Sequence, residues 1–257
     1  MFSKRQCDYF KEGVVKAQTR YLEQLDNLLQ KLKNNDDSIE AAAAVVAHSL
    51  ENDGLVHVFG TGHSHMLAEE MFYRAGGLGA VNPILEEDLM LHKNASKSTE
   101  LERDPSLANS ILSQHQLREG DVFIIASNSG GNALIEAMAL EVKSRGLILI
   151  AITSIKHATS PAARAQGRKL HELADICIDN LGEVGDASIS YPQILEKTGP
   201  TSTVIGAAIV NAIAARAVEI TLQHGFTPQI FSSSNTSSGD VHNTRLIESL
   251  KNRVVIL

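Results

Sequence analysis

The sequence predicts an α/β protein built on a parallel sheet. Short apolar runs carry the prediction: "LVHVFG" from Leu55, "DVFIIAS" from Asp121, "LILIAIT" from Leu147 and "ADICID" from Ala174 alternate with segments of helical texture. Strands buried on both faces by crossover helices read this way. A weaker strand is expected near "GAVNPIL", residues 79–85.

Ahead of the sheet, Phe10, Val14, Ala17, Tyr21, Leu25, Leu28 and Leu32 recur at steps of three and four. They predict a helix within 6–33 whose stripe covers the core or a second subunit. "NNDDS" breaks that helix. Asp37 and Glu40 are spaced as a capping box for a second helix running to about Leu50. Beyond the sheet comes the apolar helix "TVIGAAIVNAIAARAVEITL", then the polar "SSSNTSSGD" and a short helix near Thr244 to Leu250. The chain therefore divides into an N-terminal helical segment (1–50), a main domain (51–225) and a C-terminal tail (226–257). No repeat of solenoid period is present.

Bulk properties narrow the function. A chain of 257 residues, 43% hydrophobic, can bury a full core but is short for two large domains. Its formal charge of −7, with no block of Lys and Arg, disfavours nucleic acid as a partner. Two cysteines, Cys7 and Cys177, make no disulfide framework. No leader is evident, and no apolar stretch is expected to reach membrane-spanning length, so a cytoplasmic protein is expected.

Two loops carry the chemistry. Gly60-Thr61-Gly62-His63-Ser64 joins the first strand to a helical pattern. In an open parallel sheet, ligands bind beyond the carboxyl ends of the strands, where helix N-termini present free N–H groups. Glycine lets backbone approach an anion closely, and Thr61 and Ser64 add hydroxyls. A tight structural corner is the blander explanation. A dinucleotide fingerprint would need glycine where His65 stands, and a P-loop would need a terminal Gly-Lys-Ser/Thr. The second loop, Ser127-Asn128-Ser129-Gly130-Gly131-Asn132, repeats the design after a different strand. N-capping by Ser129 or Asn132 accounts for part of it.

With "GTGHS", "SNSGGN" and the later "GPTST" that opens the long helix, residues from about 40 to 225 resemble the sugar isomerase, or SIS, domain, and within it the phosphoheptose isomerase-like proteins. The resemblance implies a three-layer α/β/α fold with a five-stranded parallel sheet, N-terminal helices and a C-terminal helical tail. It implies a homodimer or homotetramer that binds sugar phosphates or other sugar derivatives; no cofactor or metal is expected. Carried over by position, Ser64, Ser127, Ser129 and Asn132 would hold the phosphate, with Gly62, His63, Asn128, Gly130, Thr201 and Ser202 around it. In phosphoheptose isomerases and related etherases a glutamate follows the first-loop serine by ten residues; here that position is Arg74.

Aldose–ketose isomerisation moves a proton between adjacent carbons through an enediol and needs a base. Glu69 stands four residues after His65, suited to an acid/base pair or to two metal ligands, while Glu70 and Arg74 are spaced as a helix ion pair. Glu86 and Glu87 open the connection "EEDLMLHKNASKSTELERD". As a lid it would bring Glu87 and His92 over the pocket; as a solvated charge run it would do nothing. Asn211 interrupts an apolar helix and needs a partner. Glu219 and His224 are further candidates. In the tail, Asp240, His242 and Asn243 are candidates for the site or caps of the last helix. The expected function is binding of a phosphorylated sugar, with isomerisation; the alternatives are an amino-sugar-phosphate etherase and a non-catalytic sugar-phosphate sensor.

Overall fold

The computed structural model describes residues 15–163, 167–235, 237–254 and 256–257. In chain order they form α1 (Ala17–Lys33), α2 (Asp37–Glu51), β1 (Val56–Gly60), α3 (Met66–Met71), β2 (Val81–Ile84), α4 (Leu91–Leu101), α5 (Leu107–Leu112), β3 (Val122–Ala126), α6 (Ala133–Ser144), β4 (Ile148–Thr153), α7 (Ile155–Ala158), α8 (Leu170–Leu173), β5 (Ile176–Asp179), α9 (Ser202–Gln223) and α10 (Ser237–Leu250). The five strands make one parallel sheet in the order β2-β1-β3-β4-β5. The expected strand near residues 79–85 is β2, and its Pro83 is tolerated because β2 is an edge strand.

Period-two alternation distributes the strands' side chains between two cores. Val56, Val58, Val122, Ile124, Ile150 and Ile152 face α1, α2, α3 and α9. Phe59, Phe123, Ile125, Leu149 and Ala151 face α5, α6 and α8. The result is the expected three-layer α/β/α arrangement. Of the stripe expected in the first helix, Leu28 and Leu32 are buried and Leu25 is partly buried, while Phe10 and Val14 lie outside the described residues. By length and composition α9 could cross a membrane, which corrects the expectation that no stretch reaches that length. Its Ile205, Ile209, Val210, Ile213 and Ala217 close the first core.

Two local expectations are corrected. Asp37 is already helical and no side-chain cap forms at Asp36; Glu40 is instead drawn to Arg216 of α9, with both carboxylate oxygens at 2.7 Å from the guanidinium. Residues 86–104 are not an irregular lid. They fold as a short turn, Glu87–Leu89, and α4, fixed by Lys97 to Asp88 (3.1 Å) and by buried Ser98 donating to the Leu89 carbonyl (2.7 Å).

The tail is a structural element. Residues near Ile230 run antiparallel beside Leu78, and Phe231, Leu246, Leu250 and Val254 pack with Leu55 and Ala80. Arg253 then reaches the amino-terminal end of the sheet, where Asp121 accepts from its Nη2 (2.9 Å). Asp121 also accepts from the Leu55 and Arg118 N–H groups and pairs with His57 Nε2 at 3.0 Å. The Asn82 amide nitrogen lies 2.9 Å from His57 Nδ1 and 3.2 Å from His115 Nδ1, so both rings accept there and the His57 proton belongs on Nε2. His57, Asn82 and Asp121 are buried.

Burial lowers the pKa of His57 and, with the neighbouring His57, pushes His115 down to about 4. Burial opposes ionisation of Asp121, but hydrogen bonds from His57 and from the Leu55 and Arg118 N–H groups outweigh it and hold the carboxyl at about 2. Both histidines take up protons more readily unfolded than folded. Stability is therefore full above the ordinary histidine value near 6.5 and falls as pH drops toward about 4. The Asp121 contribution is present above the ordinary aspartate value of 3.8 and is lost as pH falls toward about 2. Urea unfolding followed from pH 7.5 down to about 2 should show this two-stage loss, and His115→Gln should flatten its upper part. Arg253→Ala should reduce stability by about 2 kcal/mol at pH 7, the scale of a lost hydrogen bond to a charged group.

Candidate functional site

The turn after β1 is shaped by its glycines. A Cβ on Gly60 would stand 2.6 Å from the carbonyl carbon and oxygen of Ser64, so only glycine lets the chain fold back this closely. Gly62 has φ +54°, the left-handed region, with no atom nearer than 3.5 Å to a Cβ placed there; its conformation, rather than space, selects glycine. The chain then makes a 3₁₀ turn over Gly62–His65 that runs into α3, turning Ser64 toward the carboxyl ends of β1 and β3.

The loop after β3 is held from behind. Gly130 has φ +59°, and a Cβ on it would meet the Thr153 hydroxyl at 2.9 Å. Its carbonyl accepts from the Leu170 N–H (2.8 Å), and its N–H donates to Ser127 Oγ (3.2 Å). Asn128 accepts from Asn180 through its side chain (3.0 Å) and from the Ser154 N–H through its carbonyl (3.1 Å). Asn132 caps α6, accepting from the Ile135 N–H (2.8 Å); the capping explanation therefore holds for this residue. Among the described residues, neither the Ser64 nor the Ser129 hydroxyl has a hydrogen-bond partner.

The N-terminus of α9 completes a cleft between these loops. Ser64, Ser127, Asn128, Asn180, Ser202 and Thr203 supply its polar wall, and Leu67, Ala126 and Ile152 its floor. The floor leaves about 10 Å³ for the centre of a water-sized sphere, room for one water. Asp186 occupies the α9 terminus, accepting from the Thr201 N–H (3.2 Å), the Ser202 N–H (3.0 Å) and the Ser202 hydroxyl. A carboxylate thus already stands where helix N–H groups favour an anion.

Sequence reasoning had singled out Ser64, Ser127, Asn128 and Ser202, which meet here, and passed over Asn180 and Thr203. Gly62 and Gly130 shape the loops; His63 is exposed and Thr201 is buried. Lys169 was also missed. It is 8% exposed and lies next to Leu170, the residue bonded to Gly130. Burial, then the Lys169 charge, lowers the pKa of His157 nearby.

The residues considered for proton transfer are placed as follows. His65 Nδ1 contacts the Gly62 carbonyl, and its Nε2 lies 3.6 Å from Glu69, which is 54% exposed. That separation is beyond a hydrogen bond. Glu70 pairs with Arg74 as the spacing suggested and also accepts from Asn211 (2.7 Å), which is exposed rather than buried in its helix. Glu87 is 68% exposed and held by Lys93 at 2.5 Å, and His92 is exposed; neither lines the cleft. Glu219 pairs with Arg216, and His224 with Glu51. In the tail, buried Asn243 bonds both the N–H and the carbonyl of Ser232 (each 2.9 Å), His242 bonds the Ile230 carbonyl (2.8 Å), and Asp240 is exposed in the first turn of α10. These contacts order the tail itself. No group of three or more His, Cys, Asp or Glu residues suited to a metal occurs among the described residues. Burial pushes the Cys177 thiol up to about 11, away from reactivity.

The two glycines of the first turn should respond differently to alanine. Gly62→Ala should cost about 1 kcal/mol, the penalty for a left-handed residue. Gly60→Ala should cost at least twice as much, about 2 kcal/mol or more, because its Cβ meets backbone. Chemical denaturation of both variants checks the order.

A family model for the SIS domain matches residues 20–154. A UPF0309 protein of Geobacillus sp. (strain WCH70) is 41% identical over 240 residues, covering 93% of this chain and 97% of that protein. A UPF0309 protein of Thermoanaerobacter pseudethanolicus is 42% identical over 240 residues, covering 91% and 97%. Among solved structures, the Vibrio vulnificus NanR protein complexed with ManNAc-6P aligns with a TM-score of 0.51 at 14% identity, covering 95% of this chain and 73% of that one; this likeness is one of fold. Phosphoheptose isomerase from Neisseria gonorrhoeae aligns with a TM-score of 0.46 at 18% identity, covering 79% and 95%. On the family match and the nearly full-length identity to these relatives, the chain belongs to the SIS domain family.

Proposed function

We propose that the chain binds a phosphorylated sugar or sugar derivative across the β1 and β3 loops, and that it isomerises this ligand as a cytoplasmic enzyme. The observation that carries the reading is the pairing of two glycine-shaped loops at the carboxyl ends of neighbouring strands, each with an uncommitted serine hydroxyl. The phosphate sits at the mouth of the cleft, receiving hydrogen bonds from Ser64, Ser129 and loop N–H groups, with the α6 N-terminus adding a favourable dipole. The sugar then extends over the first turn. NanR with its bound ManNAc-6P makes a phosphorylated amino sugar a reasonable first compound to test.

The same reading includes a second copy of the chain. Val15, Leu22 and Leu29 lie seven residues apart and are 49%, 59% and 38% exposed, and Leu29 joins Leu32, Ile39, Ala208 and Ala212 as the apolar part of a groove that Lys33, Asp36, Glu40 and Arg216 also line. On α9, Val204 and Leu222 are also exposed. Exposed apolar residues on both α1 and α9 fit a homo-oligomeric contact.

Ser64→Ala combined with Ser129→Ala should weaken sugar-phosphate binding at least about 100-fold, as expected for two lost hydrogen bonds to a charged group. The melting temperature should stay within about 2 °C of the parent. Calorimetry showing undiminished affinity in the double variant would refute the loop assignment. In light scattering, the parent should exceed the monomer mass and Leu22→Glu should lower it.

A further inference from the structure

We infer that Glu102 is the catalytic base of this site, taking the proton from the sugar carbon next to the carbonyl; the inference rests on the sugar-phosphate reading above. Its position is set by two anchors. The Glu102 backbone carbonyl accepts from the Leu134 N–H (3.2 Å) in the first turn of α6, the helix that the second loop opens. Its carboxylate lies beside the first loop, with Oε1 3.5 Å from the place a Cβ on Gly62 would occupy. One residue thus spans the two loops assigned to the phosphate. Glu102 does not line the floor of the cleft; it borders the first turn on the Gly62 side.

The state of the carboxylate points the same way. Glu102 is half-buried, and among the described residues no hydrogen bond or ion pair engages its side chain. Removing a charged group from water without a partner is unfavourable, and its neighbours show the ordinary alternative: Glu87, Asp88 and Asp104 are all paired. A base must be unengaged before substrate arrives and within reach of the proton once it is bound. Other acids near the first turn do not meet both demands. Glu70 is shared by Arg74 and Asn211, and Glu69 is more than half exposed. Arg74 cannot accept a proton.

The step is balanced without a co-reactant. The carbon–hydrogen bond adjacent to the carbonyl breaks and its proton forms an O–H bond on Glu102. The released pair becomes the carbon–carbon double bond of an enediolate as the carbonyl π pair moves onto oxygen. The hydroxyl proton of the enediolate passes from its oxygen to the former carbonyl oxygen, and delivery of the carbon-derived proton from Glu102 to the former carbonyl carbon restores the carboxylate and leaves the carbonyl on the carbon that lost its hydrogen.

The test is proton NMR in deuterium oxide with fructose 6-phosphate, glucosamine 6-phosphate, N-acetylmannosamine 6-phosphate and arabinose 5-phosphate, each also assayed for binding by thermal shift. The parent should bind at least one of them and exchange its α-hydrogen for deuterium. Glu102→Gln should slow that exchange by about 100-fold or more while retaining the thermal shift, and Glu102→Asp should recover part of the rate. Exchange in Glu102→Gln within threefold of the parent would overturn the assignment, as would a parent that binds without exchanging; in both cases the phosphate site survives. A parent that binds none of the four would remove the sugar-phosphate reading, and this inference with it.

Discussion

A helix that follows a parallel strand begins with N–H groups that have no acceptor inside the helix, and the order β2-β1-β3-β4-β5 sets two such beginnings next to each other. The connection from β1 leads outward to β2, and the chain then returns past β1 to β3, so the loops after β1 and β3 part to opposite faces of the sheet. A crevice at that point follows from topology. What the sequence adds is restraint on what fills it: Gly60 lets the turn close on Ser64, Gly130 takes a left-handed conformation against Thr153, and Asp186 satisfies the third N-terminus, that of α9. The proposed phosphate position lies between the first two of these loops.

The two ends of the sheet are handled in opposite ways. At the amino-terminal end, Asp121 is engaged by His57, Arg253 and two backbone N–H groups, and Asn82 links His57 to His115. That cluster joins the last residues of the chain to the middle of the sheet and keeps two imidazoles neutral. At the carboxyl-terminal end the hydroxyls of Ser64 and Ser129 and the carboxylate of Glu102 have no partner among the described residues. Unengaged polar groups at one end, opposite a cluster at the other that ties Asp121 to His57, Arg253 and two backbone N–H groups, suit a binding site on a stable scaffold.

The layers of the fold were legible because apolar runs and helical periodicity are local properties. Even the edge strand could be located, although Pro83 weakened its signal. The helix of residues 91–101 was not legible: its sequence is dominated by polar and charged residues, Asn94 has non-helical angles (φ −164°), and buried Ser98 is satisfied by a carbonyl nine residues away. The roles of Asn243 and Arg253 were hidden for the same reason, since their partners come from distant parts of the chain. At the site, the glycine and serine pattern located both loops. Thr203 closes the "GPTST" motif, whereas Asn180, Lys169 and Glu102 carry no spacing signal, and Glu102 stands in a charge run that periodicity cannot distinguish from a solvated surface.

The central claim is that the two loops select a phosphate-bearing sugar. The most direct measurement is a thermal-shift comparison of aldose, ketose and amino-sugar phosphates with their unphosphorylated counterparts, because a ligand that binds only the folded state raises its melting temperature by mass action. A rise confined to phosphorylated compounds is predicted. Equal shifts from a sugar and its phosphate, or no shift from any phosphate, would contradict the account.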